Sequence, residues 1–156
     1  MKIFLLFLLI SVLFLSVSCK KDSGCKTVSP EQEDPAIIEY NIKNGLGAIK
    51  FNNSIYYKIK DTGYGINPSR SSKIIVTYVA KFLNNKVYDE VKSPKTFSLT
   101  DVIEGWQIGL PLIKKGGKII LIIPSVYAYG CNGNNNLNVP PDTVLLYEVS
   151  LIDVLP

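Results

Sequence analysis

The chain has 156 residues, which is the size of one ordinary domain with a single hydrophobic core. It carries 17 Lys and Arg against 13 Asp and Glu, and this net charge of +4 is too small to predict nucleic-acid binding. The sequence contains no histidine. This excludes Ser-His and Cys-His catalysis and removes the commonest zinc ligand.

The first 18 residues have the features of a secretion signal. Lys2 is followed by an apolar run, residues 3–14, that is shorter than the roughly 20 residues a membrane-spanning helix needs. Residues 15–19 resemble the end of a bacterial lipoprotein signal. The resemblance implies cleavage before Cys19, a lipid on the Cys19 thiol, and a mature protein anchored in the cell envelope, facing the periplasm or in the outer membrane. An ordinary secreted protein and an uncleaved anchor are the alternatives, and both also place the folded part outside the cytoplasm.

Residues 19–50 are predicted to form a tether and a short N-terminal helix. The stretch from Lys20 to Asp34 is polar and charged, which predicts a flexible segment with no core of its own. Between Pro35 and Ile49, apolar residues recur near helical spacing, and glycines indicate the end of the helix.

Cys25 and Cys131 are the two cysteines other than Cys19. In an oxidising compartment they could form a disulfide. Cys25 lies in the predicted tether and Cys131 in a loop rich in Gly and Asn, and no sequence pattern brings them together. We therefore expect two unpaired thiols.

Beyond residue 50 the pattern is mainly that of strands. Alternating or β-branched apolar runs predict five strands, and Asn84-Asn85 predicts a turn that pairs the second of them with the segment from Lys86. The predicted strands are Ser54–Lys60, Lys73–Phe82, Thr96–Leu99, Lys118–Ile123 and Val144–Val154.

One short helix is predicted to start at Val102. Asp101 and Glu104 have the spacing of a capping box, and Pro111 limits the helix to a few turns. Its apolar residues, including Trp106, share one face, which a half-buried sheet must cover. The predicted fold class is therefore α+β.

The region from Ser71 to Leu155 resembles the FKBP-type peptidyl-prolyl cis-trans isomerases. The resemblance implies a strongly bent antiparallel sheet wrapped around one short helix, in a domain covering residues 51–156. It rests on Val76-Thr77-Tyr78, Val87-Tyr88-Asp89, Pro94 through Phe97, Val102-Ile103-Glu104-Gly105-Trp106, Lys115-Gly116-Gly117-Lys118, Ile123-Pro124, Tyr127-Ala128-Tyr129-Gly130, Val139-Pro140-Pro141 and Leu145-Leu146-Tyr147-Glu148-Val149.

The resemblance also implies a pocket for a substrate proline, with Trp106 as its floor. By this resemblance Tyr129 donates a hydrogen bond to a substrate carbonyl, and Asp89 faces the twisting amide and orients Tyr78. The remaining expected substrate-binding residues form the walls and rim: Tyr88, Phe97, Val102, Ile103, Val139 and Tyr147. For any one of the aromatic residues alone, plain core packing would be the more probable role.

The function implied is isomerisation of X-Pro bonds in exported or envelope proteins, with proline-containing polypeptides as partners. The resemblance implies neither a metal nor a cofactor. The rival hypothesis is a binding module, an adaptor or chaperone that holds such a partner at the membrane without useful turnover. Three departures from the family stand out, namely Tyr88 in place of the usual Phe, Lys95, and a polar, lengthened loop at 131–136. We expect them to affect rate and sequence preference, and to make any binding of the family's macrolide inhibitors weak.

Overall fold

The computed structural model describes residues 24–155. Six antiparallel strands form one sheet in the order β1-β2-β5-β6-β3-β4. The strands are β1 (Ile49–Phe51), β2 (Ile55–Asp61), β3 (Lys73–Phe82), β4 (Val87–Ser98), β5 (Lys118–Ile123) and β6 (Leu145–Leu155), and the helices are α1 (Pro30–Lys43) and α2 (Glu104–Gly109). The predicted α+β class is confirmed. The predicted signal peptide and Cys19 lie outside the described residues.

The inner face of the sheet carries the main core and packs against α2. The helix approaches the sheet closely because it places glycines against it. A Cβ on Gly105 would lie 2.4 Å from a methyl carbon of Ile123, and a Cβ on Gly109 would lie 2.5 Å from one of Leu121. Larger residues at these two positions would push α2, and Trp106 with it, away from the sheet.

The outer face of the sheet is covered in part by α1. Ile37 and Tyr40 of this helix are buried in a second apolar cluster that includes Ile122 and Leu146. Strand β5 therefore has buried side chains on both of its faces, which explains its uninterrupted apolar run.

The N-terminal segment differs most from the prediction. Helix α1 begins at Pro30 rather than Pro35, after Ser29, whose N–H donates to the Gln32 side chain at 3.1 Å. The predicted flexible tether is wrong from residue 24 onward, because residues 25–33 lie against the loop between β5 and β6. The expectation of unpaired thiols is also wrong, because Cys25 and Cys131 form a disulfide. Neither helix in the described part of the chain has the length and hydrophobicity needed to cross a bilayer.

The start of α2 also differs from the prediction. Asp101 ends a short 3-10 turn and accepts a hydrogen bond from the Thr100 hydroxyl at 3.0 Å, while Ile103 occupies the N-cap position of α2. The backbone of Val102 is extended, with ψ 167°. Packing of these two aliphatic residues beside Trp106 overrides the local capping pattern. The predicted strand Thr96–Leu99 is the end of β4.

Candidate active site

A cavity of about 250 Å³ opens on the inner side of the sheet, beside the first turn of α2. One side of it, which we call the sheet wall, consists of residues on β3, β4, α2 and β6. The opposite side, the loop wall, belongs to the loop between β5 and β6, residues 124–144, which we call the site loop. The lining residues are Tyr78, Asp89, Phe97, Asp101, Val102, Ile103, Trp106, Tyr129, Leu137 and Tyr147.

Trp106 is the centre of the sheet wall. Its ring packs edge-on against Tyr78, Tyr147 and Phe97, with centroid distances of 5.1, 5.3 and 6.2 Å. Aromatic pairs prefer this edge-to-face geometry. Only 3% of Trp106 is exposed, so its position is fixed by packing on several sides. The result is a rigid, apolar floor.

Asp89 and Tyr78 supply the polar part of the sheet wall. The Tyr78 hydroxyl donates to Asp89 Oδ2 at 2.6 Å, and Asp89 Oδ1 accepts the Glu90 N–H at 2.9 Å. Burial raises the pKa of Tyr78 well above its usual range, and the Asp89 carboxylate adds to the effect. Tyr78 therefore stays protonated and holds the Asp89 carboxylate in one orientation.

Tyr147 lines the cavity from β6 and is almost fully buried, and Tyr88 lies behind it. The Tyr88 ring stacks on Phe82 at 4.7 Å and meets Tyr147 edge-on at 6.2 Å. The buried Tyr88 hydroxyl makes no hydrogen bond of good geometry within residues 24–155, and burial raises its pKa strongly. Tyr88 thus supports the wall and does not line the cavity, which differs from its predicted role.

Tyr129 and Leu137 form the loop wall. Burial raises the pKa of the Tyr129 phenol, so this group too stays protonated. The Leu137 N–H donates to the Asn134 side chain at 3.2 Å, and the Asn134 and Val139 backbones pair at 2.8 and 2.9 Å. Val139 itself is buried in the core, not at the rim as predicted.

Eight of the ten predicted pocket residues line this one cavity, all except Tyr88 and Val139. Two lining residues were not predicted. The capping pattern predicts a helix cap at Asp101, and no motif of the sequence points to Leu137. Leu137 is an isolated apolar residue among polar neighbours, a pattern that could have indicated a rim residue. Within residues 24–155 no three Cys, Asp or Glu side chains form a cluster able to hold a metal.

The model of the family described as FKBP-type peptidyl-prolyl cis-trans isomerase matches residues 65–152, more than half of the chain. The chain belongs to this family. Every residue that lines the cavity lies within the matched range. Helix α1 and strands β1 and β2 lie outside it.

Similar proteins carry the same family name. Over 105 residues, the chain is 38% identical to the FKBP-type peptidyl-prolyl cis-trans isomerase FkpA of Escherichia coli (strain K12). This match covers 65% of this chain but only 38% of that protein. The crystal structure of FkpA from Escherichia coli has a TM-score of 0.71 and 33% identity, and the similarity covers 81% of this chain and 61% of that one. A peptidyl-prolyl cis-trans isomerase from Pseudomonas syringae pv. tomato has a TM-score of 0.69 and 28% identity, over 84% of this chain and 99% of that one. These similarities confirm the FKBP-like fold.

Proposed function

We propose that the protein is a peptidyl-prolyl cis-trans isomerase that assists the folding of exported or envelope proteins. The observation that carries this proposal is the cavity beside α2, where an aromatic floor, an oriented carboxylate and a phenol donor converge. The chain spans less than half the length of the curated relative described above, so activity is proposed from its own site as well as from the family.

The cavity suits a reaction that breaks no covalent bond. Rotation about an X-Pro amide has a barrier of about 18–20 kcal/mol, because twisting destroys the amide resonance. The twisted amide carries less charge separation than the planar one and is therefore less costly to transfer into a dry, apolar site. A wall built from Trp106, Phe97 and Tyr147 favours the twisted state over the planar one, and that difference in binding accelerates the rotation.

The polar groups then act on the two ends of the amide. Tyr129, which stays protonated, donates a hydrogen bond to a substrate carbonyl. Asp89, held by Tyr78, presents a fixed negative charge to the rotating group. Fixed donors and charges in a site that excludes water are worth more than the same groups in bulk water. Proline-containing polypeptides are both substrate and product, and the reaction consumes no cofactor.

The location that we propose is the extracytoplasmic side of a bacterial membrane, with a lipid anchor at Cys19. The Cys25–Cys131 disulfide supports this compartment, because such bonds persist in oxidising surroundings. The signal-like residues 1–18 support export, and the anchor rests on the lipoprotein-like residues 15–19. We also propose that macrolide inhibitors bind only weakly, because the site loop is extended and polar at residues 131–136.

The deciding experiment is exchange NMR on a short Leu-Pro peptide, with catalytic amounts of the protein purified in mild detergent. We expect Asp89→Leu to lower kcat/KM about tenfold or more, equivalent to at least about 1.4 kcal/mol of lost transition-state stabilisation. Glu90→Gln is the matched control, because Glu90 follows Asp89 on β4 but faces the outer side of the sheet. It should leave kcat/KM unchanged.

The same experiment separates the enzyme from the rival binding module. A module without turnover would shift the resonances of the peptide without accelerating its exchange, and Asp89→Leu would keep most of the affinity. If the wild-type protein and Asp89→Leu accelerated the exchange equally, the assignment of catalysis to Asp89 and this cavity would be wrong.

A further inference from the structure

One disulfide and three hydrogen bonds join the site loop to the N-terminal segment, residues 25–33, which we call the N-terminal brace. Cys25 is bonded to Cys131, and the Thr27 hydroxyl donates to the Cys131 sulfur at 3.4 Å. The third and fourth contacts are hydrogen bonds between the brace and the two ends of the site loop. The Val28 N–H donates to Asp142 Oδ1 at 3.3 Å, and the Ser125 N–H donates to Glu33 Oε2 at 2.8 Å.

The attachment points bracket Tyr129. Ser125 precedes it by four residues and Cys131 follows it by two. Between them Thr27 lies against the backbone, since a Cβ on Gly130 would lie only 3.2 Å from the Thr27 hydroxyl oxygen. The brace therefore holds the short stretch that carries the phenol of the loop wall.

The other end of the brace continues into a helix that is fixed to the sheet. Ile37 of α1 is fully buried, and the Tyr40 hydroxyl donates to Asn85 Oδ1 at 2.5 Å. Asp34 accepts hydrogen bonds from Lys50 on β1 and Tyr56 on β2, at 2.5 and 3.0 Å. The brace thus connects the loop wall to the same sheet that carries the opposite wall of the cavity.

The site loop has little regular structure of its own. Between β5 and β6 it contains three short 3-10 turns and one isolated bridge, between Asn134 and Val139. That bridge lies beyond Cys131, on the side away from Ser125. Backbone hydrogen bonds do fix the local shape of the stretch around Tyr129, among them Gly133 N–H to the Tyr129 carbonyl at 3.2 Å and Asp142 N–H to the Gly130 carbonyl at 2.9 Å. They join loop residues only to one another, so contacts from outside the loop help to set where this stretch lies relative to the sheet.

We propose that Cys25 and Glu33 are positioning residues that hold Tyr129 opposite Asp89, and that opening the Cys25–Cys131 disulfide lowers the isomerase activity. This inference rests on the proposed function. Both residues lie outside the part of the chain that the family model matches, so the family alone does not supply the brace.

The disulfide is within reach of a reductant, because Cys25 is exposed. A dithiol attacks one of the sulfurs, forms a mixed disulfide, and then closes to its own disulfide. Two electrons and two protons pass to the protein, which is left with thiols at Cys25 and Cys131. The hydrogen bond between Glu33 and Ser125 remains in place. Reduction therefore removes the covalent attachment on the C-terminal side of Tyr129 and leaves the attachment on its N-terminal side.

The first test compares kcat/KM of the detergent-purified protein before and after treatment with dithiothreitol, well below its unfolding temperature. We expect a loss of about tenfold on reduction, below the roughly 100-fold that a 1 Å misplacement can cost. Cys25→Ser/Cys131→Ser should show the reduced activity and no response to the dithiol. Glu33→Ala keeps the disulfide but leaves the Ser125 N–H without its acceptor, and we expect it to lose about threefold.

The second test separates positioning from general loosening of the fold. In the disulfide-bonded protein, Tyr129→Phe should lower kcat/KM clearly. In the reduced protein the same substitution should change it little, because the phenol is already displaced. If the penalty of Tyr129→Phe is equal in both states, the inference is wrong.

A readout without turnover distinguishes failure of this inference from failure of the proposed function. The ring-carbon resonance of isotope-labelled Tyr129 should shift on reduction, while that of Tyr56 on the outer face should stay in place. A shift of Tyr129 in a protein without isomerase activity would support the brace and overturn the enzyme. Unchanged kcat/KM and an unchanged Tyr129 resonance on reduction would overturn the brace.

Discussion

The two walls of the cavity are built in different ways. Trp106, Tyr78 and Asp89 belong to strands and a helix whose backbone hydrogen bonds and packing fix them. Tyr129 and Leu137 belong to a loop that has only short 3-10 turns and one isolated bridge, and whose stretch around Tyr129 is joined to the brace. Trp106 and Tyr147 of the sheet wall belong to the buried core, whereas both residues of the loop wall are only half-buried against it. Stability and function are therefore coupled in the first wall and separable in the second.

The largest effect should come from removing the centre of the sheet wall. Trp106→Ala is expected to lower the free energy of unfolding by about 3–5 kcal/mol and to abolish peptide binding, because the cavity left behind cannot collapse. Denaturant unfolding and peptide titration would measure both. Ile42→Ala, at a position 74% exposed on α1, is the control and should stay within about 0.5 kcal/mol of the wild type. A loss below about 1 kcal/mol for Trp106→Ala would contradict its central place in the core.

A smaller effect, on function alone, should come from the loop wall. Leu137→Ala is expected to raise the KM for a Leu-Pro peptide about fivefold, which corresponds to about 1 kcal/mol of lost apolar contact. The unfolding midpoint should change little, because Leu137 is only half-buried. Asn136→Ala, at an exposed neighbouring position, should change neither quantity. Equal losses of stability and affinity in Leu137→Ala would show that the loop wall is as much a part of the core as the sheet wall.

The smallest effect should be a pH dependence of the free energy of unfolding, caused by Glu33, which accepts the hydrogen bond from Ser125 of the site loop. Burial raises the pKa of Glu33 above its usual 4.5, the Ser125 hydrogen bond opposes this, and Asp142 and Asp34 raise it further. The folded protein therefore holds more protons than the unfolded chain between pH 4.5 and the raised pKa. This stabilising contribution is complete below pH 4.5 and is lost as the pH rises through the folded pKa.

Glu33→Gln removes that titration. Urea unfolding of both proteins at pH 4 and pH 7 should show the variant gaining stability relative to the wild type as the pH rises. Ile42→Ala, at an exposed position on the same helix, removes no ionisable group; it is the control and should show no such trend. A relative stability of Glu33→Gln that falls between pH 4 and pH 7 would contradict the sign.

The sequence was sufficient for the parts of the molecule that local patterns determine. The bounds of β3 and β5 and the α+β class follow from β-branched and apolar runs, and the family resemblance places the sheet wall. The capping pattern at Asp101 was misleading because Val102 and Ile103 pack in extended form beside Trp106, a tertiary effect that local spacing does not encode.

The brace could not be predicted for a related reason. Cys25 and Cys131 are 106 residues apart, and neither has a neighbouring pattern that indicates the other. The polar composition of residues 24–34 indicates that this segment has no core of its own. It does not reveal that the helix continuing from this segment packs on the outer face of the sheet through Ile37.

The strand order has a consequence for how the chain reaches its native state. Strand β6 lies between β5 and β3, so the last strand along the chain joins β1-β2-β5 to β3-β4. Until its residues are available, these two groups of strands share no hydrogen-bonded neighbour. In the export that we propose, a chain that crosses the membrane with its N-terminus first can therefore assemble hairpins early, but the sheet closes only when nearly all of it has crossed. Such late, long-range pairing is slow and leaves apolar strands exposed for longer.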